Sequence, residues 1–184
     1  MKPIGPLMRE HRVIERVIAL LRDELGNIAR TGRVDLRLLD FSIDFFKTYA
    51  DRCHHGKEED ILFRELKNKP LSAEHRTIID ELIEEHAFAR NTVERLAAAK
   101  GSQTPAGLPL RDISECIETI TAFYPKHIEK EDKHFFFPSL QYLSQGEQDA
   151  MLAGFREFDA KLIHETFGNK ITEIESRKIK AHGK

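Results

Sequence analysis

Tryptophan is absent from this chain of 184 residues, and cysteine occurs only twice, as Cys53 and Cys116. So few thiols argue against a disulfide scaffold and an iron–sulfur cluster, and fit a reducing cytoplasm, the expected location. No apolar run approaches the roughly 20 residues needed to cross a bilayer, and the N-terminus lacks a signal peptide's apolar stretch, so no membrane contact is expected. An excess of one charge is missing as well: 29 Lys and Arg face 31 Asp and Glu, a net charge of −2. No global field therefore draws nucleic acid to the surface. What is abundant is Glu, Lys, Leu, Ile and Ala, a helix-rich composition, and the twelve phenylalanines must fill much of the core.

Pro and Gly clusters divide the chain into five helical segments. The first, about residues 6–28, repeats apolar residues every three or four positions from Leu7 to Ile28, with His11 in the same stripe. The second starts at the candidate N-cap Asp35 and runs to about residue 68 along Phe41, Phe45, Thr48, Arg52, His55, Glu59, Leu62 and Leu66. Gly56 in its middle marks either a bend or a close approach by another backbone. The third follows the cap Ser72 and carries Ile79, Leu82, His86, Ala89 and Val93 on one face; the loop from Gly101 to Gly107 ends it. The fourth begins near Pro109 and lines up Ile113, Ile117, Ile120, Tyr124, His127, Glu131 and His134, with a kink expected at Pro125. Ser144 to Glu147 forms a capping box for a fifth helix, about residues 144–178.

The expected architecture is all-α: an up-down four-helix bundle over about residues 4–140 plus an additional C-terminal helix, all in one domain. Two halves of the bundle nearly repeat. Glu10-His11 is matched by Glu85-His86, 75 residues on, and His55…Glu59-Asp60 by His127…Glu131-Asp132, 72 residues on. Residues four apart share a helix face. Two hairpins related by a pseudo-twofold would then gather His11, His55, Glu59, His86, His127 and Glu131 at one level. Each replaces an apolar residue at a core-facing position, where a lone carboxylate or unpartnered imidazole is costly. Two cations explain all six at once: the carboxylates bridge and the imidazoles are terminal. This mixed set suits iron, with manganese or zinc as alternatives. The neighbouring Glu58 and Glu129 read as solvated, Tyr124 as core, and Cys53 as a buried, inert thiol.

Glu-His11, His55-Gly-Lys-Glu-Glu59-Asp, Glu-His86 and His127-Ile-Glu-Lys-Glu131-Asp, in this order, resemble the hemerythrin-like, or HHE cation-binding, domains. The resemblance implies a bundle holding a non-haem di-iron centre that binds or senses dioxygen or a related small ligand. Two further readings stay open: a di-iron enzyme acting on peroxide or nitric oxide, and a metal- or redox-responsive interaction module. A homodimer is also left open. The chain departs from the family's pattern in one place. Hemerythrins proper carry His-x-x-x-His on helix three, whereas Leu82 and Arg90 flank His86 at that spacing. Either an extra coordination position is open, or His54, His134 or His164 fills it. On a regular helix His54 points about 100° away from His55.

Overall fold

A computed structural model describes residues 2–102, 107–159 and 163–182. Four long helices form the bundle: α1 (Ile4–Thr31), α2 (36–67), α3 (Ala73–Gly101) and α4 (110–139). Each boundary has a local cause. Asp35 accepts hydrogen bonds from the backbone N–H groups of Arg37 and Leu38 at the start of α2, and Ser72 accepts from His75 at the start of α3. Gly32 ends α1 in the left-handed region, φ 63°, with its N–H returned to the Ile28 carbonyl. Pro125 lies inside α4 without breaking it. Having no N–H, it releases the carbonyl of Thr121 one turn back, and Arg22 of α1 donates to that oxygen at 3.1 Å.

The buried residues explain the up-down arrangement. They fall into two apolar clusters, one around Ile14, Phe45, Tyr49, Val93, Ile117 and Tyr124, the other around Leu7, Leu62, Phe63, Leu82, Phe135 and Phe136. In every bundle helix a short polar stretch separates them. Along α1 and α3 the chain passes from the second cluster to the first, and along α2 and α4 it runs back. Only alternating helix directions bring like clusters together, and doing so stacks the four polar stretches into one layer. Burial of both clusters drives the assembly; the polar layer is what it has to accommodate.

The long α2 and α4 are not α-helical throughout. α2 is π-helical over Phe46–His55 and again over Glu58–Phe63, and α4 over Lys130–Phe135. A π-turn closes with i→i+5 hydrogen bonds and is wider than 3.6 residues. In α2 the buried positions accordingly advance in fours, from His54 to Glu58, Leu62 and Leu66, where an α-helix would alternate threes and fours. Arg52, which α-helical spacing puts in the core stripe, is exposed.

The C-terminal region is helical over α5 (Gln145–Asp159) and α6 (Ile163–His182). Ser144 and Glu147 do form the reciprocal cap of α5, Ser144 N–H donating to Glu147 Oε2 at 2.8 Å. Met151 and Phe155 of α5 pack into the second cluster, and Phe167 and Ile171 of α6 into the first. Gly56 answers to a close approach: a Cβ there would lie 3.1 Å from the ring of Phe158 on α5.

Candidate metal centre

The polar layer holds five histidines and two glutamates, all with almost no exposure: His11, His54, His55, His86, His127, Glu58 and Glu131. Their potential donor atoms form two groups, one of His55, His86 and His127, the other of His11, His54, Glu58 and Glu131, with atoms in each group within 4.8 Å of one another. Both carboxylates reach across. Glu131 Oε2 lies 3.0 Å from His11 Nε2 and 3.5 Å from His127 Nε2. Glu58 lies 3.4 Å from Nε2 of His54 through one oxygen and 3.4 Å from Nε2 of His86 through the other.

This layer differs from the sequence expectation by one residue of register on α2. His11, His55, His86, His127 and Glu131 come together. Glu59 does not join them: it sits at the edge of the bundle, where Arg90 Nη2 donates to it at 2.6 Å. Glu58, read as solvated, takes the inner place, and His54 turns inward with it. The π-turns are the physical reason, because they re-phase α2 just where the ligand motif lies. His134 is exposed on α4 and outside the layer. The side chain of His164 lies outside the described residues. The fifth histidine thus comes from α2, as the adjacent pair His54-His55, in place of the second histidine missing from α3.

Outside the inner atoms stands a ring of carboxylates. Nδ1 of His11 contacts Asp132 at 2.8 Å, Nδ1 of His54 contacts Glu10 at 2.9 Å, Nδ1 of His86 contacts Glu59 at 2.7 Å, and Nδ1 of His127 contacts Glu85 at 2.8 Å. Each carboxylate accepts from Nδ1–H and so orients Nε2 toward the inside of the layer. A cation backs every one: Lys57 on Glu10, Lys130 on Glu85, Arg90 on Glu59 and Arg12 on Asp132. The pseudo-twofold is therefore more extensive than two motifs. His54, Lys57, Glu58 and Glu59 answer in order to His127, Lys130, Glu131 and Asp132, and Glu10-His11 to Glu85-His86. Glu10, Glu85 and Asp132 are the residues that ligand spacing alone missed, and Glu59, expected as a bridge, joins them in this outer ring. Their signal was present in the repeat, since each directly precedes or follows an inner residue.

The inner atoms face one another without aligned hydrogen bonds. Among the described side chains, Nε2 of His11, His54, His86 and His127, both ring nitrogens of His55 and both oxygens of Glu58 and Glu131 are buried without an aligned hydrogen bond. At about 1–3 kcal/mol for each unsatisfied buried group, their combined cost rivals the about 5–15 kcal/mol that stabilises a domain. Charge tells the same story. Burial and the nearby Glu131 push the Glu58 carboxyl well above its usual range. Burial also opposes ionisation of Glu131, but His127, His11 and His86 outweigh it and hold that carboxyl well down. Burial disfavours the charged form of His11, yet Asp132 and Glu131 raise it to about 9. Burial takes His54 down to about 4 despite Glu10. These imidazole and carboxylate donors, paired across two groups and aimed at one another, fit a pair of cations.

Residues 2–137 match the family described as the hemerythrin HHE cation-binding domain. The chain belongs to this family. No curated protein and no solved structure matches the chain. The family match ends before α5, so the two C-terminal helices are additions to the HHE bundle. In this HHE protein α5 touches the centre's outer ring: Lys57, fully buried, bridges Glu10 of α1 and Asp159 of α5. Cys53 lies nearby, and burial pushes its thiol up to about 12, the state of an unreactive thiol. Phe136, Phe63 and Phe123 stack on His11, His86 and His127 at ring separations of 5.6, 6.0 and 5.3 Å, walling the layer with hydrocarbon. No described helix is long and apolar enough to cross a membrane. A surface cleft of about 640 Å³ between α2 and α6 contains none of the layer's residues.

Proposed function

We propose that this protein holds two iron ions, bridged by Glu58 and Glu131, and binds or senses dioxygen or a related small ligand at that pair. His11 and His54 serve one ion, and His55, His86 and His127 the other. The observation that carries the reading is the set of inward donor atoms without aligned hydrogen bonds, for which two cations provide partners. Iron suits a ligand set of imidazole and carboxylate without thiolate, and when bound it supplies reversible binding of small ligands. The chain's own contribution is to hold Nε2 inward, to set the bridging carboxylates and to exclude bulk water with the stacked phenylalanines.

Elemental analysis of the protein purified in air is expected to give two irons per chain. Its optical spectrum is expected to show charge-transfer bands of a bridged pair that change reversibly when dioxygen is removed and restored. Steady consumption of added peroxide instead of reversible change would favour the enzymatic reading; zinc alone would overturn the iron assignment.

Loading is expected to depend on pH, with a sign set by His11. Its metal-free imidazole, raised to about 9, carries at neutral pH a proton that a cation must displace. Apparent affinity for a divalent cation should therefore rise between about pH 6 and 9, by about tenfold per unit for each proton displaced. Titrations at fixed ionic strength check this, and a flat profile would contradict it.

A further inference from the structure

The family match ends before α5, yet the end of α5 lies on the turns of α2 that carry inner residues. The ring of Phe158 closes on Gly56, next to His55, where a Cβ would lie 3.1 Å from the ring. Gly154 admits Ile61 in the same way: a Cβ there would lie 3.2 Å from Ile61 Cδ1. Phe155 sets its ring 5.8 Å from Nζ of the fully buried Lys57. Asp159 Oδ1 accepts from that same Nζ at 2.5 Å.

Lys57 carries the contact inward. Its Nζ also donates to Glu10 Oε1 at 2.5 Å, and Glu10 Oε2 meets Nδ1 of His54 at 2.9 Å. A continuous chain of polar contacts thus runs Asp159–Lys57–Glu10–His54, from a C-terminal helix to an inner imidazole. Loss of Asp159 would strand a buried N–H of the ammonium, which regains a partner by swinging toward water and away from Glu10.

The pseudo-twofold supplies the contrast. Lys57, Glu10 and His54 correspond to Lys130, Glu85 and His127. Lys130 is backed by Glu81 of α3, an exposed residue of the bundle itself. Gly56 corresponds to the exposed Glu129, which pairs with Lys133. One half of the centre is held by the bundle; the other is held partly by α5.

Resting on the two-cation reading, we propose that α5 is a latch on the centre. Asp159 is a positioning residue that fixes the ring of His54 through Lys57 and Glu10. With His54 held by its cation, Glu10 and Lys57 stay in register with Asp159. With His54 released, the chain slackens and α5 lifts more often, uncovering Met151 and Phe155. Linkage requires the two effects to be equal: whatever factor α5 docking adds to cation affinity, cation binding adds to docking.

The test combines Asp159→Asn with loading by Fe(II) under anaerobic conditions, on the full-length protein. In competitive titration against a chelator, Asp159→Asn is expected to bind Fe(II) about tenfold more weakly than the wild type. Hydrogen exchange over residues 145–159 is expected to slow about tenfold on loading the wild type and hardly at all in Asp159→Asn. Asp159→Glu, which keeps the anion, is expected to retain both effects. Glu175→Gln is the control: it breaks the 2.7 Å pair with Arg16 that ties α6 to α1, and Fe(II) affinity should stay within about twofold. Three results would each overturn the latch and leave the two-cation centre intact: α5 exchange in the wild type indifferent to loading, unchanged Fe(II) affinity in Asp159→Asn, or an equal loss in Glu175→Gln. A wild type that binds no Fe(II) would overturn both.

Discussion

Glu58→Ala is expected to strip the protein of both metals, whereas Glu59→Ala should leave both in place and loosen them about 10–100-fold. The two residues are adjacent and identical in chemistry, and the sequence reading chose Glu59. Their surroundings separate them. Glu58 is fully buried and points each oxygen at a different histidine, His54 and His86. On the two-cation reading, removing it would leave both cations short of a shared anionic ligand. Glu59 touches only Nδ1 of His86 and the Arg90 guanidinium; its loss frees one imidazole to turn but takes no donor atom from the layer. Metal content by elemental analysis and competitive titration against a chelator measure both. Equal losses from the two variants would place the bridging carboxylate elsewhere.

Chelation is expected to lower the melting temperature by about 8–16 °C. A ligand present at about a thousand times its dissociation constant stabilises the folded state by about 4.1 kcal/mol. For a chain of this size each kcal/mol moves the midpoint by about 2–4 °C. The layer gives this general linkage a specific target, because removing the cations returns the inner atoms of His55, Glu58 and Glu131 to an unpartnered state in the middle of the core. Scanning calorimetry with and without chelator is the measurement. Coincident transitions would mean that the layer satisfies itself by another route, such as protonation or water.

The bundle was legible in the sequence because its signals are local and redundant. Apolar stripes on four segments, Asp35 and Ser72 as caps and the Ser144–Glu147 box each point to the same helices. The centre was legible as a level in the bundle for a related reason. Polar residues interrupt all four stripes at matching heights, and His11, His86, His127 and Glu131 lie where α-helical spacing puts them. On α2 that spacing failed. His54-His55 and Glu58-Glu59 offer two frames, each with a histidine four residues before a glutamate, and the choice depends on how wide the intervening turns are. A π-turn leaves no strong mark in composition, so the frame became apparent only from which side chains are buried.

The outer carboxylates have one more property, which follows from which helix each serves. Glu10 of α1 holds His54 of α2, Glu59 of α2 holds His86 of α3, Glu85 of α3 holds His127 of α4, and Asp132 of α4 holds His11 of α1. The contacts pass from each helix to the next and close on the first. Apolar stripes tolerate slippage by a turn, since one leucine replaces another against the same neighbour. A closed circuit of directed contacts does not, because moving any helix along its axis breaks the contact on both of its sides. The circuit thus acts as a vernier for the bundle, setting the height of all four helices whether or not a cation is present.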